Sequence, residues 1–466
     1  MASVEEELEA AKGFLHAPLR QYQWEGVSFL YRNSSALLAD EMGLGKTVQA
    51  IIALSLCLRK PDVGRALIVA PASLALNWER ELARWAPHLV VRRLMGSADE
   101  RNSLYLLPVE VVVGTYDQMR LDALDNIPAD TFDLVLLDEA QRIKNADSQV
   151  AFACKLLSRR ISWALSATPL ENSRAELHSV FDFVRPGLLT NAVTKDELFS
   201  RLAPHMLRRR KSIVMGELPP IQVQDLVLEL TDEQRLAYDR LWYARQEGLP
   251  SDEEDAIPVT SLFALLTKLK QACNYDPKTN SSSKLELVRT IVESARGPLD
   301  KIIIFSQFVE TLTWLGQQLD AIDCELYHGG LSLAERDEVI ARFENAEGPR
   351  VLLMSLRAGG LGLNLEAASV VVLFDRWWNP AAEAQAISRA HRFARKRPLH
   401  AVRLLVKDSV EERIDKILRL KQELFDEYIE NAPGPDVERL TKRELLRILE
   451  LHPSPRISQP STEDVS

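Results

Sequence analysis

Two series of short apolar runs, each alternating with amphipathic stretches, organise this 466-residue chain. In the first half the runs are Ala36–Ala39, Ala66–Ala70, Val109–Val113, Leu134–Leu137 and Ile161–Leu165. They are continuous and rich in Val, Leu and Ile, as strands covered on both faces are. Their alternation with helical stretches predicts an α/β domain built on a doubly wound parallel sheet, with ligands beyond the C-terminal ends of the strands. A second series, Lys301–Phe305, Glu325–Tyr327, Val351–Met354, Val370–Phe374 and Ala401–Val406, predicts another domain of the same class. Between them Asn191–Arg201 and Asp232–Gln246 read as helices, Gln222–Leu230 as a strand, and Glu247–Pro258 and Asn274–Ser283 as loops. Val410, Ile414, Ile417, Leu418, Phe425 and Ile429 are spaced for one face of a long helix. A further helix is expected over Asp436–Leu451, and the tail from Pro453 reads as disordered.

The expected division follows from these patterns. An acidic segment covers 1–16, and a first lobe covers 17–220 with a helical protrusion near 186–220. A second lobe covers 221–432 with a helical insertion near 231–283, followed by a helix and tail over 433–466.

Composition narrows the class. Hydrophobic content of 46% and charged content of 27% are those of a soluble globular protein. No apolar run approaches the roughly 20 residues of a membrane span, and the acidic N-terminus does not read as a signal peptide. Cys57, Cys154, Cys273 and Cys324 lie far apart, which suggests neither zinc nor a disulfide framework and fits a reducing, intracellular compartment. His328 and His391 lack companion ligands at metal spacing. A net charge of −10 argues mildly against a polyanionic partner, yet basic residues cluster at Arg208-Arg209-Arg210-Lys211 and between Arg389 and Arg397.

The chemistry begins at the end of the first apolar run. Gly43 and Gly45 precede Lys46 and Thr47, which open a helical run, so strand, glycine-rich loop and helix follow in the order of a phosphate-binding loop. Lys46 would neutralise β- and γ-phosphates and Thr47 would sit on Mg²⁺. Asp40 stands where the strict motif has its first glycine, and a glycine-rich turn with a solvated lysine is the plainer alternative. Asp138 and Glu139 follow a later apolar strand, where Asp138 can hold Mg²⁺ and Glu139 can deprotonate an attacking water. Such a pair also serves as a helix N-cap. Arg389 and Arg392 share one face of a helix expected over Ala381–Ala394, suited to arginine fingers or to a solvated basic end.

These motifs resemble the ATPase core of the Swi/Snf family, among the superfamily 2 helicase-like translocases. Leu19–Gly26, with Gln23, resembles the adenine-recognition segment; Ala39–Thr47 resembles motif I, including Asp40 at the glycine position; Asp138–Asn145 resembles motif II, with Gln141 where many members carry His. Ser166-Ala-Thr168 resembles motif III, Ile304–Phe308 motif IV, Ser355–Asn364 motif V, and Asp375–Pro380 with Gln385, Arg389, His391 and Arg392 motif VI. Phe393-Ala394-Arg395 departs from the family's usual continuation. The resemblance covers about residues 17–430.

It implies two tandem RecA-like lobes, ATP and Mg²⁺ as cofactors, and double-stranded DNA as the track. Catalysis would fall to Lys46, Asp138, Glu139, Arg389 and Arg392. Gln23, Asp40, Gly43, Gly45, Lys46, Thr47 and Gln385 would hold the nucleotide, with Thr47 and Asp138 on the metal. Gln141, Ser166 and Thr168 would couple nucleotide to track. DNA would meet Ser73, Thr115, Tyr116, Arg208, Arg209, Arg210, Lys211, Ser306, Gln307, Gly359, Gly360 and one of Trp377 and Trp378, taken as Trp378. The basic run also reads as a solvated loop, and the tryptophans as core. The activity implied is a DNA-dependent ATPase that moves along duplex DNA and displaces bound protein, alone or within a larger complex and away from membranes. A strand-separating helicase and a nucleotide-binding scaffold are the alternatives. Short insertions point to a prokaryotic source, hence cytoplasm or nucleoid; a eukaryotic protein would be nuclear.

Overall fold

A computed structural model describes residues 4–12, 17–124, 127–166, 174–189, 195–214, 221–244, 258–295, 300–319, 322–356, 363, 365–377, 380–391, 398–429 and 442–449. Seven parallel strands form the first sheet: β1 (Ser35–Leu38), β2 (Ala66–Ala70), β3 (Val91–Arg93), β4 (Val111–Thr115), β5 (Leu134–Asp138), β6 (Ile161–Leu165) and β7 (Met206–Leu207), in the order β3-β4-β2-β5-β6-β1-β7. Six form the second: β8 (Ile221–Leu228), β9 (Lys301–Ser306), β10 (Cys324–Tyr327), β11 (Val351–Ser355), β12 (Ala368–Leu373) and β13 (Leu399–Val406), in the order β10-β11-β9-β12-β13-β8. The α/β class with two tandem parallel-sheet lobes is therefore as the sequence predicts.

The central strands of each sheet are covered on both faces, which is why they read as unbroken apolar runs, while the edge strand β8 of the second sheet is largely exposed. In β2 the side chains of Ala66, Ile68 and Ala70 enter one apolar cluster, while Leu67 and Val69 enter another on the opposite face. Burying each such Val, Leu or Ile contributes roughly 1.5–3 kcal/mol. The helices that cover the faces and matter below are α1 (Gln21–Arg32), α2 (Lys46–Cys57), α3 (Ala72–Trp85), α4 (Val259–Asn274), α5 (Ser283–Ser294), α6 (Leu333–Glu344), α7 (Pro380–Ala390) and α8 (Val410–Ile429). A further apolar cluster joins Leu262, Leu266 and Leu269 of α4 to Val410, Ile414 and Leu418 of α8 and to Leu445 of the helix Lys442–Ile448. The insertion is thereby packed onto the second lobe.

Most differences from the sequence reading are at element ends, but two strands were not expected. β3 and β7 are short edge strands of three and two residues, too brief to leave a periodic signal. The helix expected over Asn191–Arg201 is observed as Lys195–Leu202, and that over Asp232–Gln246 as Asp232–Tyr243. The Glu247–Pro258 loop (but for Pro258), the segment before Lys442 and the tail from Pro453 lie outside the described residues. Among the described residues no helix is long and apolar enough to cross a membrane.

Candidate nucleotide site

Strand register brings the site together. Leu38 of β1 is level with Leu165 of β6, and Leu165 with Asp138 of β5. The residues that follow these three strand ends, the phosphate loop, Glu139 and Ser166, therefore emerge along one edge of the sheet. Gly43 and Gly45 adopt left-handed backbone angles, φ 86° and 76°, which cost little only without a Cβ. A Cβ at Gly45 would also lie 2.6 Å from the Gln23 side-chain nitrogen. Gln23 spans the approach: its Oε1 accepts from the Arg20 N–H at 3.0 Å, and its Nε2 faces the Leu44 carbonyl at 3.5 Å. Lys46 Nζ donates to the Asp40 carbonyl at 2.7 Å. Burial lowers the Lys46 pKa, against the opposing pull of Glu139, Asp40 and Asp138.

The acid pair lies opposite, Asp138 buried and Glu139 half-buried. Asp138 Oδ2 accepts from Trp78 Nε1 on α3 at 2.8 Å, and Oδ1 from the Glu139 N–H at 2.9 Å. Burial, and then the neighbouring Glu139, raise the Asp138 pKa above the usual carboxylate range. Those two effects are what a bound cation relieves. Glu139 itself takes φ 52°, an uncommon angle for a non-glycine residue, which turns its carboxylate back toward Gln141. Gln141 Nε2 donates to Glu139 Oε2 at 2.6 Å, and Ser166 Oγ donates to Gln141 Oε1 at 2.8 Å. The two described coupling residues thus form a chain ending on Glu139; Thr168 lies outside the described residues.

A cavity of about 830 Å³ opens over this edge and is closed from the far side by the second lobe. Gln23, Lys46, Thr47, Asp138 and Glu139 line it from the first lobe, and Arg336 and Arg389 from the second. Arg389 is buried on α7 and near enough to act on Lys46 as a like charge. Gln385, one turn earlier, is half-buried and absent from the lining. Arg392 lies outside the described residues. Two polar contacts tie the lobes beside the cavity. Arg80 of α3 pairs with Asp337 of α6 at 2.7 Å, and Lys211 Nζ donates to the His391 carbonyl at 3.2 Å.

Several residues expected on a DNA track have other partners in the structure. Arg209 is turned inward onto the Asp40 carboxylate, and Asp40, expected at the nucleotide, is fully buried on that guanidinium. Tyr116 is buried and its hydroxyl donates to the Asp138 carbonyl at 2.7 Å. Ser306 is fully buried against Asp375, and the Gln307 N–H donates to the same carboxylate at 3.1 Å. Thr115 caps the helix that follows it, accepting from the Gln118 N–H. Ser73 lines the nucleotide cavity, and Lys211 reaches the second lobe. Arg208 and Arg210 are exposed. Gly359, Gly360 and Trp378 lie outside the described residues, while Trp377 packs on the second lobe's core. Asp375 stands within the stretch resembling motif VI, but its pairing with Ser306 and Gln307, the place of Trp78 and the role of Arg209 left no signal in the sequence, since each is decided by pairing across distant segments.

Two parallel-sheet α/β lobes facing one another across a cavity that holds the glycine-rich loop and the acid pair place the chain among P-loop nucleotide-binding proteins whose site is completed by a second lobe. The SNF2-related domain matches residues 22–278, over half of the chain, and the helicase conserved C-terminal domain matches residues 283–394. The chain belongs to the SNF2-related family. It is 34% identical to an uncharacterized ATP-dependent helicase of Mycoplasma genitalium, over 93% of this chain and 44% of that protein. It is 29% identical to the ISWI chromatin-remodeling complex ATPase ISW1 of Saccharomyces cerevisiae, over 88% of this chain and 40% of that protein. The chain thus spans less than half the length of these relatives. Among solved structures it is similar to the SWI2/SNF2 ATPase core of Sulfolobus solfataricus in complex with dsDNA, with 29% identity, a TM-score of 0.44, and 94% of this chain and 98% of that one covered.

Proposed function

We propose that the chain is an ATP-hydrolysing motor that moves along double-stranded DNA and displaces or remodels what is bound there. The observation that carries the reading is Arg389 of the second lobe facing Lys46, Asp138 and Glu139 of the first across one cavity. A site split in this way hydrolyses well only when the lobes meet, so turnover and lobe movement are linked. Lys46 offsets the phosphate charge, Glu139 held by Gln141 takes a proton from water, and Arg389 stabilises charge that develops in the transition state. Thr47 and Asp138 suit Mg²⁺, which polarises the phosphates when bound. Among the described residues no three His, Cys, Asp or Glu side chains cluster as a metal cage, and Mg²⁺ typically completes its shell with water and phosphate oxygens.

Membership of a family that includes chromatin-remodelling ATPases supports duplex DNA as the track, with Arg208 and Arg210 as exposed cations for its backbone. The test is steady-state ATPase with duplex DNA, single-stranded DNA, RNA and no polymer, with Lys46→Ala as the inactive control. Duplex should stimulate most, and the stimulation should fall steeply with salt. Equal stimulation by single strands or RNA, together with unwinding of a forked duplex, would establish a strand-separating helicase instead.

A further inference from the structure

We propose that Arg209 is a positioning residue of the nucleotide site, fixing the phosphate loop against the segment that frames the base; this rests on the ATP-site reading above. The short edge strand β7 sets it in place. Leu207 is level with Leu38 of β1, and the ladder continues beyond both strands, with the Ala39 N–H on the Leu207 carbonyl at 2.7 Å and the Glu41 N–H on the Arg209 carbonyl at 2.9 Å. Two residues beyond each strand end, Asp40 and Arg209 therefore stand side by side.

A guanidinium has five N–H donors in a fixed fork. Here Nε donates to Asp40 Oδ1 at 3.0 Å, while Nη2 donates to Asp40 Oδ2 at 2.6 Å and to Gln49 Oε1 at 3.0 Å. Nη1 donates to the Tyr22 carbonyl and to Glu25 Oε2 at 3.4 Å. All five are engaged, and the side chain is only 10% exposed. None remains for a DNA phosphate.

The acceptors belong to three segments that frame the nucleotide. Tyr22 and Glu25 are on α1 beside Gln23, Asp40 begins the phosphate loop, and Gln49 lies in the first turn of α2. Gln49 carries the linkage on, since its Nε2 donates to the Leu44 carbonyl at 3.0 Å, the group that Gln23 also faces. Gly26 shows how closely these parts fit. A Cβ there would stand 1.7 Å from Gln49 Oε1 and 2.9 Å from Arg209 Nη2. Gln49 is fully buried and has no room to yield. A lysine at 209 would reach only one of the acceptors, because the fork is what spans them.

The experiment uses the full chain, the fluorescent nucleotide mant-ADP and a labelled 30-base-pair duplex. Arg209→Met should weaken mant-ADP binding and raise the ATP KM by about tenfold or more, as displacement of a positioned group does. Its KM should rise more than its kcat falls, and nucleotide-free duplex affinity should hold. Arg209→Lys should fall between. Gly26→Ala, which keeps every charge, should shift KM in the same sense. Asp40→Asn/Arg209→Met removes both buried charges; it should recover melting temperature but not KM, a split that a purely structural role does not produce. Unchanged KM in Gly26→Ala and in the double variant would overturn the proposal. So would intact mant-ADP binding by Arg209→Met with weakened duplex binding and a salt slope reduced by about one, the signature of a phosphate contact. A wild-type chain that binds no mant-ADP would overturn the ATP site itself, a result distinct from either.

Discussion

Replacing Lys284 by Met removes a positive charge that lies wholly inside the second lobe. Lys284 and Glu411 are both completely buried and pair at 2.7 Å, joining α5 to the first turn of α8. The ammonium also donates to the Phe374 carbonyl at 2.8 Å and to Asn274 Oδ1 at 3.1 Å. Met fills similar volume but satisfies none of these acceptors. Glu411 would keep the Val406 N–H on Oε2 at 3.1 Å, while Oε1 would lose its charged partner. Breaking a buried pair by removing one member costs about 3–5 kcal/mol, because the charge left behind has no compensation. At the roughly 2–4 °C per kcal/mol of a domain of 150–250 residues, the lobe's melting transition should fall by about 6–20 °C. Scanning calorimetry of the full chain reads this directly, with the first lobe's unfolding as internal reference. Lys284→Met/Glu411→Gln removes both charges and should recover at least half of the loss. A single variant within about 1 kcal/mol of wild type would refute the argument, as would a double variant no more stable than the single. The pair adjoins a wider network, since Asn274 also donates to Asp375, which holds Ser306 and Gln307.

Two further outcomes follow from the site and from the same network. Arg389→Ala should cut ATP turnover at saturating duplex by about 10³–10⁵, as loss of an arginine finger does, while mant-ADP affinity changes only a few-fold; a few-fold loss of turnover would separate Arg389 from the chemistry. Burial brings the fully buried Lys270 down to about 8, against the pull of Asp375, Glu411 and Glu383. Its folded value thus lies below the ordinary 10.5, so between those values the unfolded chain binds more protons, and stability from this residue rises with pH. Urea unfolding of wild type minus Lys270→Met should show that rise from about pH 8 to 10.5, and a flat difference would contradict it.

The parts legible in the sequence share one property, that their signal is local. Doubly covered strands read as apolar runs, and the loop at Gly43–Thr47 is confined to a few residues, two of them glycines that the backbone angles demand. What was not legible depends on pairing between distant segments. The two residues of β7 lie just before a basic run that looks like surface, yet their register with β1 turns Arg209 inward onto Asp40. Ser306 and Tyr116 follow strands in positions that suit a DNA contact, and nothing near them in sequence shows that Asp375 and the Asp138 carbonyl take them up. Nothing near Lys270 or Lys284 in sequence marks either as buried, and their burial shows only once α4 and α5 are laid against α8.

Where it is described, the joint between the lobes is made of charge and carbonyl rather than of oil. Among the described residues no apolar cluster crosses it, and the Arg80–Asp337 pair is 58% and 43% exposed. An exposed pair of this kind is worth only about 0–1 kcal/mol, and water replaces it as soon as the partners separate. Among the described residues, parting the halves therefore wets no apolar cluster shared between them. On the proposed function the nucleotide would be the principal fastener, and its arrival and departure would go into motion instead of into prising the halves apart.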